Sequence, residues 1–265
     1  VETDASEPCP LDFEGDPDRL WATREEVTYL LDEVAKVLPD KRVAFENVAY
    51  PYAGVRPLSF EPGRSASAVS REHRVVPEGP DARFLSVTGT KLTCFRSLAE
   101  DVGDRVMRVL GRKEVSRTAR AMLDGTDEEA GPIEVRAWMD VSEEMAATGL
   151  SRATLKTLVE TYGRAFPRVL ELGRKLPDGF ERLCPSNPEI VAQLHHAVRE
   201  ELAVSLQDVM LRRTGIGQSR CQGLDCVEPI AARMAELAGW PPRRLDAELE
   251  AYSQHVELSR RFRHR

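Results

Sequence analysis

The sequence predicts an α+β chain: short strands plus two helices over residues 1–112, a linker at 113–131, and an all-α domain over 132–265. Three observations lead there. Two apolar stripes of helical spacing bracket a stretch of β-branched alternation in the first half. Residues 112–131, including Asp124-Gly125-Thr126-Asp127, are polar and interrupted, as at a domain boundary. After them, every apolar stripe has helical spacing.

Taken in order, Thr23-Arg24-Glu25-Glu26 has capping-box spacing, and Val27, Leu30, Leu31, Val34 and Leu38 follow at helical intervals, which predicts a helix over 23–38. From Arg42 to Val87 the pattern changes to β-branched residues broken by Pro and Gly. Short strands, mixed or antiparallel, are predicted at Val43-Ala44-Phe45, Val69, Val75-Val76 and Phe84-Leu85-Ser86-Val87. After Gly89, the positions Leu92, Phe95, Leu98, Ala99, Val102, Val106 and Val109 describe a one-sided helix ending near Gly111. Beyond the linker, Ser151 is an N-cap for a stripe from Leu155 to Leu170, which Pro167 should kink or end early. Leu194, Val198, Leu202, Leu206, Val209 and Met210 form a second stripe. Ile230, Met234 and Leu237 form a third, closed by Gly239 and Pro241-Pro242, and Leu245, Leu249, Tyr252 and Val256 a last.

With 265 residues and 42% hydrophobic content the chain can bury one large core or two smaller ones. A net charge of −7 lacks the footprint of a nucleic-acid binder, so no nucleic-acid partner is expected. Five cysteines, odd in number and mostly far apart, argue for a reducing compartment, by default the cytoplasm. No apolar run reaches the roughly 18 residues of a membrane span. The chain starts at Val1-Glu2-Thr3-Asp4, an alternating segment that reads as a strand without its neighbours, and a fragment or processed chain is expected.

Two short blocks carry the chemistry, Ala53-Gly54-Val55-Arg56-Pro57-Leu58 and Thr88-Gly89-Thr90-Lys91-Leu92-Thr93, with Ser70-Arg71-Glu72 between them. In the second, a strand passes through glycine into a helix. Such a turn offers free backbone N–H groups and the positive end of the helix dipole to an anion or polarised carbonyl, and Lys91 adds a full charge. Arg56 precedes Pro57, which biases its backbone to an extended form while its guanidinium stays free to grip a carboxylate or phosphate. Singly, each block reads better as an ordinary turn or strand edge with an exposed cation.

Together and in this order, the blocks resemble the carboxy-terminal half of the FAD-dependent glycerol-3-phosphate dehydrogenases. The resemblance takes in Gly15-Asp16-Pro17, Tyr29-Leu30-Leu31, Ala53 to Leu58, Ser70-Arg71-Glu72, Gly89 to Thr93 and Phe95 to Glu100. It resumes at Tyr162-Gly163, Arg199 to Ala203, Leu206-Gln207-Asp208, Leu211-Arg212-Arg213-Thr214 and Gly239-Trp240. It implies a truncated FAD/substrate-binding part followed by that family's helical domain. It also implies oxidation of sn-glycerol 3-phosphate to dihydroxyacetone phosphate, with electrons passing through FAD to a quinone. Arg56 and Arg71 would clamp the substrate phosphate. Lys91 would lie between substrate and flavin as the catalytic cation, and Gly89, Thr90, Lys91, Leu92 and Thr93 would cover the flavin edge. A peripheral contact with the inner face of a membrane and a homodimer are further partners the resemblance allows.

The chain departs from the family pattern at Thr90, where a second glycine is usual, and at Cys94 and Phe95, where a threonine and an aromatic hydroxyl are usual. The dinucleotide fingerprint G-x-G-x-x-G is missing, since Gly215-Ile216-Gly217 follows a helix rather than a strand. The chain alone is therefore expected neither to hold FAD tightly nor to turn over. Cys221-Gln222-Gly223-Leu224-Asp225-Cys226 resembles half of the iron–sulfur motif in small helical domains attached to anaerobic relatives. A cluster takes four thiolates, Cys184 is a distant third, and no metal site is expected. His195 and His196 read as residues of a solvated or half-buried helix face. The basic tail from Arg260 to Arg265 reads as a solvated end, with contact to anionic lipid as its alternative. Two rivals stand beside the leading reading: an FAD enzyme acting on another amine or hydroxy acid, and a non-catalytic helical interaction module.

Overall fold

The computed structural model describes residues 15–40, 43–55, 72–81, 83–88, 91–121 and 147–264. Seven α-helices lie wholly within them: α1 (Arg24–Val37), α2 (Phe95–Val109), α3 (Arg152–Tyr162), α4 (Phe166–Lys175), α5 (Val191–Arg199), α6 (Val227–Ala238) and α7 (Pro242–Arg260). Two strands, β1 (Arg74–Glu78) and β2 (Phe84–Thr88), complete the α+β architecture expected from the sequence. Packing divides the chain into two compact units, residues 1–20 with 54–123 and residues 21–53 with 124–265. The sequence expectation kept 1–112 together. Packing instead groups α1 and the segment after it with the carboxy-terminal helices, because their apolar side chains meet the end of α7.

In the smaller unit, β1 and β2 pair antiparallel, with Val75 opposite Val87 and Val76 opposite Ser86. The one-sided helix α2 packs on this hairpin. Arg105 Nη1 donates to the Val75 carbonyl at 3.0 Å, and His73 Nε2 meets Asp101 Oδ2 at 2.9 Å. The helix stops where Gly111 takes φ +68°, a conformation that costs a residue with a Cβ far more than glycine.

The larger unit holds most of the buried side chains. Ser151 Oγ accepts from the Thr154 N–H at 3.1 Å and starts α3. The stripe that follows is not one helix: Gly163 at φ +52° breaks it, and Pro167 opens α4 in the first turn, where its missing N–H costs nothing. Leu155, Leu158, Val169, Leu170, Ile190 and Ala192 bury one cluster. A second gathers Leu194, Leu206, Met210, Ile230, Met234 and Tyr252.

Three expectations are corrected. Val43-Ala44-Phe45 is no strand. Phe45–Asn47 is a 3-10 turn whose Phe45 ring lies 5.5 Å from Phe262 and under the Arg24 guanidinium at 4.3 Å, so its apolar signal marks packing rather than pairing. Leu202 leaves the second stripe: it sits at φ +55° and is 76% exposed, because the chain turns after α5. The Asp208 carboxylate then takes the N–H groups of Val204 and Ser205 and opens a π-helical turn, Asp208–Arg213. The basic tail is no free end either. Phe262 is 2% exposed, Arg261 stacks over Trp21 at 4.7 Å, and Arg263 Nη2 donates to the Val48 carbonyl at 3.0 Å.

The capping box foreseen for α1 is present, with Thr23 Oγ1 accepting from Glu26 N–H and Glu26 accepting from Thr23 N–H. His195 and His196 are half-buried, as expected of that helix face. The Tyr50 hydroxyl meets His255 Nε2 at 3.2 Å on α7. Burial, helped by Arg212, holds His255 below the ordinary 6.5, and burial with Arg199 does the same for His195. A depressed histidine pKa means that the unfolded chain takes a proton the folded chain refuses. The contribution is full above about pH 6.5 and shrinks as pH falls through that value. Urea midpoints should therefore drop between pH 7 and pH 5.5, and His255→Gln should flatten that part of the profile; an unchanged slope in the variant would rule out His255 as a contributor.

Candidate functional site

The predicted site residues Arg56, Arg71, Gly89 and Thr90 lie outside the described residues. Lys91, Leu92 and Thr93 are described and form one continuous entry into α2. Lys91 is extended, at φ −91° and ψ 135°, and precedes a 3-10 turn, Leu92–Cys94, that runs directly into the helix. Its carbonyl accepts from the Cys94 N–H at 2.9 Å. Among the described residues no side chain caps the turn or the start of α2, and the Phe95 N–H donates to the Leu92 carbonyl. Lys91, Leu92 and Thr93 are all exposed. Leu92 at 84% and Phe95 at 64% add apolar surface around the cation. The arrangement offers charge, backbone donors and a greasy wall to a flat, electron-rich ligand.

A second constellation, whose three cysteines the sequence shows but does not bring together, lies in the helical unit. Cys184, in the segment between α4 and α5, meets Asp225 and Cys226 from the loop before α6; one ligand atom of each lies within 4.8 Å of the others. Cys221 Sγ lies outside that set and is linked to it through Asn187. Asn187 Nδ2 donates to Cys184 Sγ at 3.1 Å and to Cys221 Sγ at 3.4 Å. The Asp225 carboxyl is held below the usual carboxylate range, first by the Cys221 thiol. Burial, reinforced by Cys184, pushes the Cys226 thiol up. Cys184 and Cys221 are too far apart in sequence for spacing to join them. The one local signal was the close pair Cys221 and Cys226.

The loop holding that pair is shaped by two left-handed residues, Gln222 at φ +50° and Gly223 at φ +68°. A Cβ on Gly223 would stand 2.2 Å from Met210 Cε, the flexible end of that side chain, so the left-handed backbone more than the contact favours glycine here. Helix α7 pins the loop. The Tyr252 hydroxyl donates to the Gln222 carbonyl at 2.7 Å, Gln222 Nε2 donates to Ser259 Oγ at 2.9 Å, and Arg260 Nε donates to Gln222 Oε1.

Residues 116–245 match the family model described as the C-terminal domain of alpha-glycerophosphate oxidase. The glycerol-3-phosphate dehydrogenase of Synechocystis sp. is 30% identical over 249 residues, covering 92% of this chain and 44% of that protein. The glycerol-3-phosphate dehydrogenase of Mycobacterium leprae is 28% identical, covering 89% and 39%. The aerobic glycerol-3-phosphate dehydrogenase of Staphylococcus aureus is 25% identical, covering 89% and 42%. In fold, the chain matches the glycerol-3-phosphate dehydrogenase from Bacillus halodurans complexed with FAD, with a TM-score of 0.76 over 93% of this chain and 47% of that one, at 23% identity. The chain is thus related to the carboxy-terminal part of the glycerol-3-phosphate dehydrogenases, and it spans less than half the length of these relatives. Gly215-Ile216-Gly217 lies in and before a 3-10 turn, Ile216–Gln218, after the π-helical turn, away from any strand. Among the described residues no helix is long and apolar enough to cross a membrane.

Tyr252 is 1% exposed and its hydroxyl is the sole donor to the buried Gln222 carbonyl among the described residues. Tyr252→Phe should lower unfolding free energy by about 1–3 kcal/mol, the cost of a buried acceptor left unpaired. Chemical denaturation measures it, and a change within error would mean that water replaces the hydroxyl.

Proposed function

We propose that this chain is the substrate-phosphate and flavin-edge portion of a flavoprotein that oxidises sn-glycerol 3-phosphate to dihydroxyacetone phosphate and passes the electrons to a quinone. The observation that carries the reading is the uncapped, exposed entry into α2 with Lys91 at its head. It occurs in a chain whose relatives bear the glycerol-3-phosphate dehydrogenase name.

The described residues fit a flavin edge. The entry into α2 lies at the positive end of its dipole, Lys91 supplies a positive charge, and Leu92 and Phe95 supply apolar surface. When bound, FAD supplies the acceptor for the hydride leaving the substrate carbon. Lys91 favours negative charge that develops between substrate and cofactor during that transfer. Arg56 and Arg71 hold the phosphate dianion through charge-assisted bonds and so fix the carbon that reacts. Two guanidinium groups suit a phosphate better than a carboxylate. Val76 and Phe84 on one face of the hairpin, and Leu92 and Phe95 at the entry into α2, are exposed apolar side chains of the kind that the remainder of a flavin domain covers. With the dinucleotide fingerprint outside this sequence, the chain alone releases flavin and is inactive. Quinone reduction places the assembled enzyme at a membrane surface, and a homodimer is compatible with it. The engaged basic tail leaves that contact to other residues.

The test joins this chain to the amino-terminal part of the Synechocystis relative and assays flavin content and dye reduction. Glycerol 3-phosphate should drive reduction. Arg56→Ala and Arg71→Ala should each raise KM about tenfold to a hundredfold, the loss of one hydrogen bond to a charged group, with flavin content unchanged. A flavin-loaded assembly that ignores glycerol 3-phosphate, or arginine variants with the parental KM, would defeat the substrate assignment. The 265-residue chain purified alone should be colourless, and stoichiometric yellow flavin on it would contradict the proposed division of labour.

A further inference from the structure

Cys184, Cys221, Asp225 and Cys226 take no part in the flavin site, and a role for them does not depend on it. Cys184 and Cys226 are buried, Cys221 is half-buried, and Asp225 closes the group from the solvent side. Cys184 Sγ stands 3.6 Å from Asp225 Oδ1, and the other carboxylate oxygen accepts from Ser186 Oγ at 3.0 Å. Two of the three sulfur atoms are supplied with donors: Asn187 Nδ2 reaches Cys184 and Cys221, and the Gly223 N–H reaches Cys221 Sγ at 3.4 Å, while Ser219 Oγ, 3.2 Å from the same sulfur, gives its own hydrogen to the Ile216 carbonyl. Donors aimed at sulfur favour its anionic form, the form that ligates a metal.

Three thiols and a carboxylate packed this closely cannot all carry charge without a cation among them. We propose that Cys184, Cys221, Asp225 and Cys226 bind one zinc ion in a closed, four-coordinate structural site.

The donor set and spacing favour zinc. Thiolate and carboxylate are both ordinary zinc ligands, and Cys221 and Cys226 are separated by four residues, within the range of close ligand pairs. At a zinc–sulfur distance of about 2.3 Å, tetrahedral donors lie roughly 3.5–4 Å apart. Cys184, Asp225 and Cys226 already lie within 4.8 Å of one another, so they need only small side-chain adjustments. Three thiols and a carboxylate, in place of four thiols, distinguish this donor set from that of an iron–sulfur cluster, which takes four thiolates. Four protein ligands leave no position for a substrate, so the role is structural. The ion ties the segment between α4 and α5 to the loop before α6, and its binding releases the thiol protons.

The test uses the full 265-residue chain, purified under reducing conditions after growth with added zinc and assayed by mass spectrometry for metals. One zinc per chain is expected. Replacement by cobalt should produce thiolate-to-metal charge-transfer absorption and the intense visible bands of a tetrahedral centre. Cys184→Ser with Cys226→Ser should abolish binding. Because those side chains are buried, the more exposed Cys221→Ser and Asp225→Asn serve as second variants: each should weaken zinc affinity at least tenfold in a chelator competition while the helical circular dichroism is kept. A chain that takes up no zinc at equimolar metal, folded variants that bind as tightly as the parent, or iron with acid-labile sulfide in place of zinc would each overturn the assignment.

Discussion

The helical unit depends on how α7 holds the loop from Cys221 to Cys226. Gln222 is buried and sits at φ +50°, a conformation that costs a residue with a side chain on the order of 1 kcal/mol. Three hydrogen bonds, two donated by Tyr252 and Arg260 and one donated by Gln222 to Ser259, offset that cost. Because the loop is fixed, Gly223 can approach Met210, and the π-helical turn and the turn after it pack beneath the same helix. A Cβ on Gly217 would stand 2.9 Å from the Tyr252 hydroxyl, which shows how tightly the backbone is drawn to that side chain.

The other end of α7 does a different task. Val256 and Phe262 are buried, and Phe262 and its flanking arginines meet Phe45, Trp21 and the Val48 carbonyl. A segment more than two hundred residues away in sequence is thereby recruited to the helical unit. The smaller unit has no comparable core among its described residues, since Val75 is the one apolar side chain of the hairpin and α2 that is buried. Its stability rests on strand pairing and on the polar ties from α2 to β1, and its apolar surface remains available for a partner.

What was legible in the sequence depends on the range of the interactions. The capping box at Thr23, the N-cap at Ser151, the glycine stops at Gly111 and Gly239 and the entry at Lys91 are all set by residues within one or two turns, and spacing reveals them. Phe45 and Leu202 misled for one reason: an apolar residue reports burial or chance exposure, and only a tertiary neighbour decides which. Phe45 found Phe262. Leu202 found none, because Asp208 caps the backbone just beyond it and turns the chain. Nothing local to the tail announced its docking, and charge outweighed the single phenylalanine in reading it.

The two constellations differ in the same respect. The entry into α2 is a property of consecutive residues, so a strand, a glycine and a lysine suffice to suggest it. Thiol convergence is a property of the fold. Cys184 comes into range because α5 is packed in the core by Val191, Leu194 and Ala197, and Cys221 and Cys226 come into range because Gln222 and Gly223 bend their loop toward it. Asn187 completes the arrangement: buried and bonded to two sulfurs and to Ser219, it places a side-chain amide where an apolar residue would pack as well. A neutral thiol gains little from such a donor and a thiolate gains much. The placement of that amide is therefore the feature of the helical unit that packing alone does not explain and that charge on the sulfur atoms does.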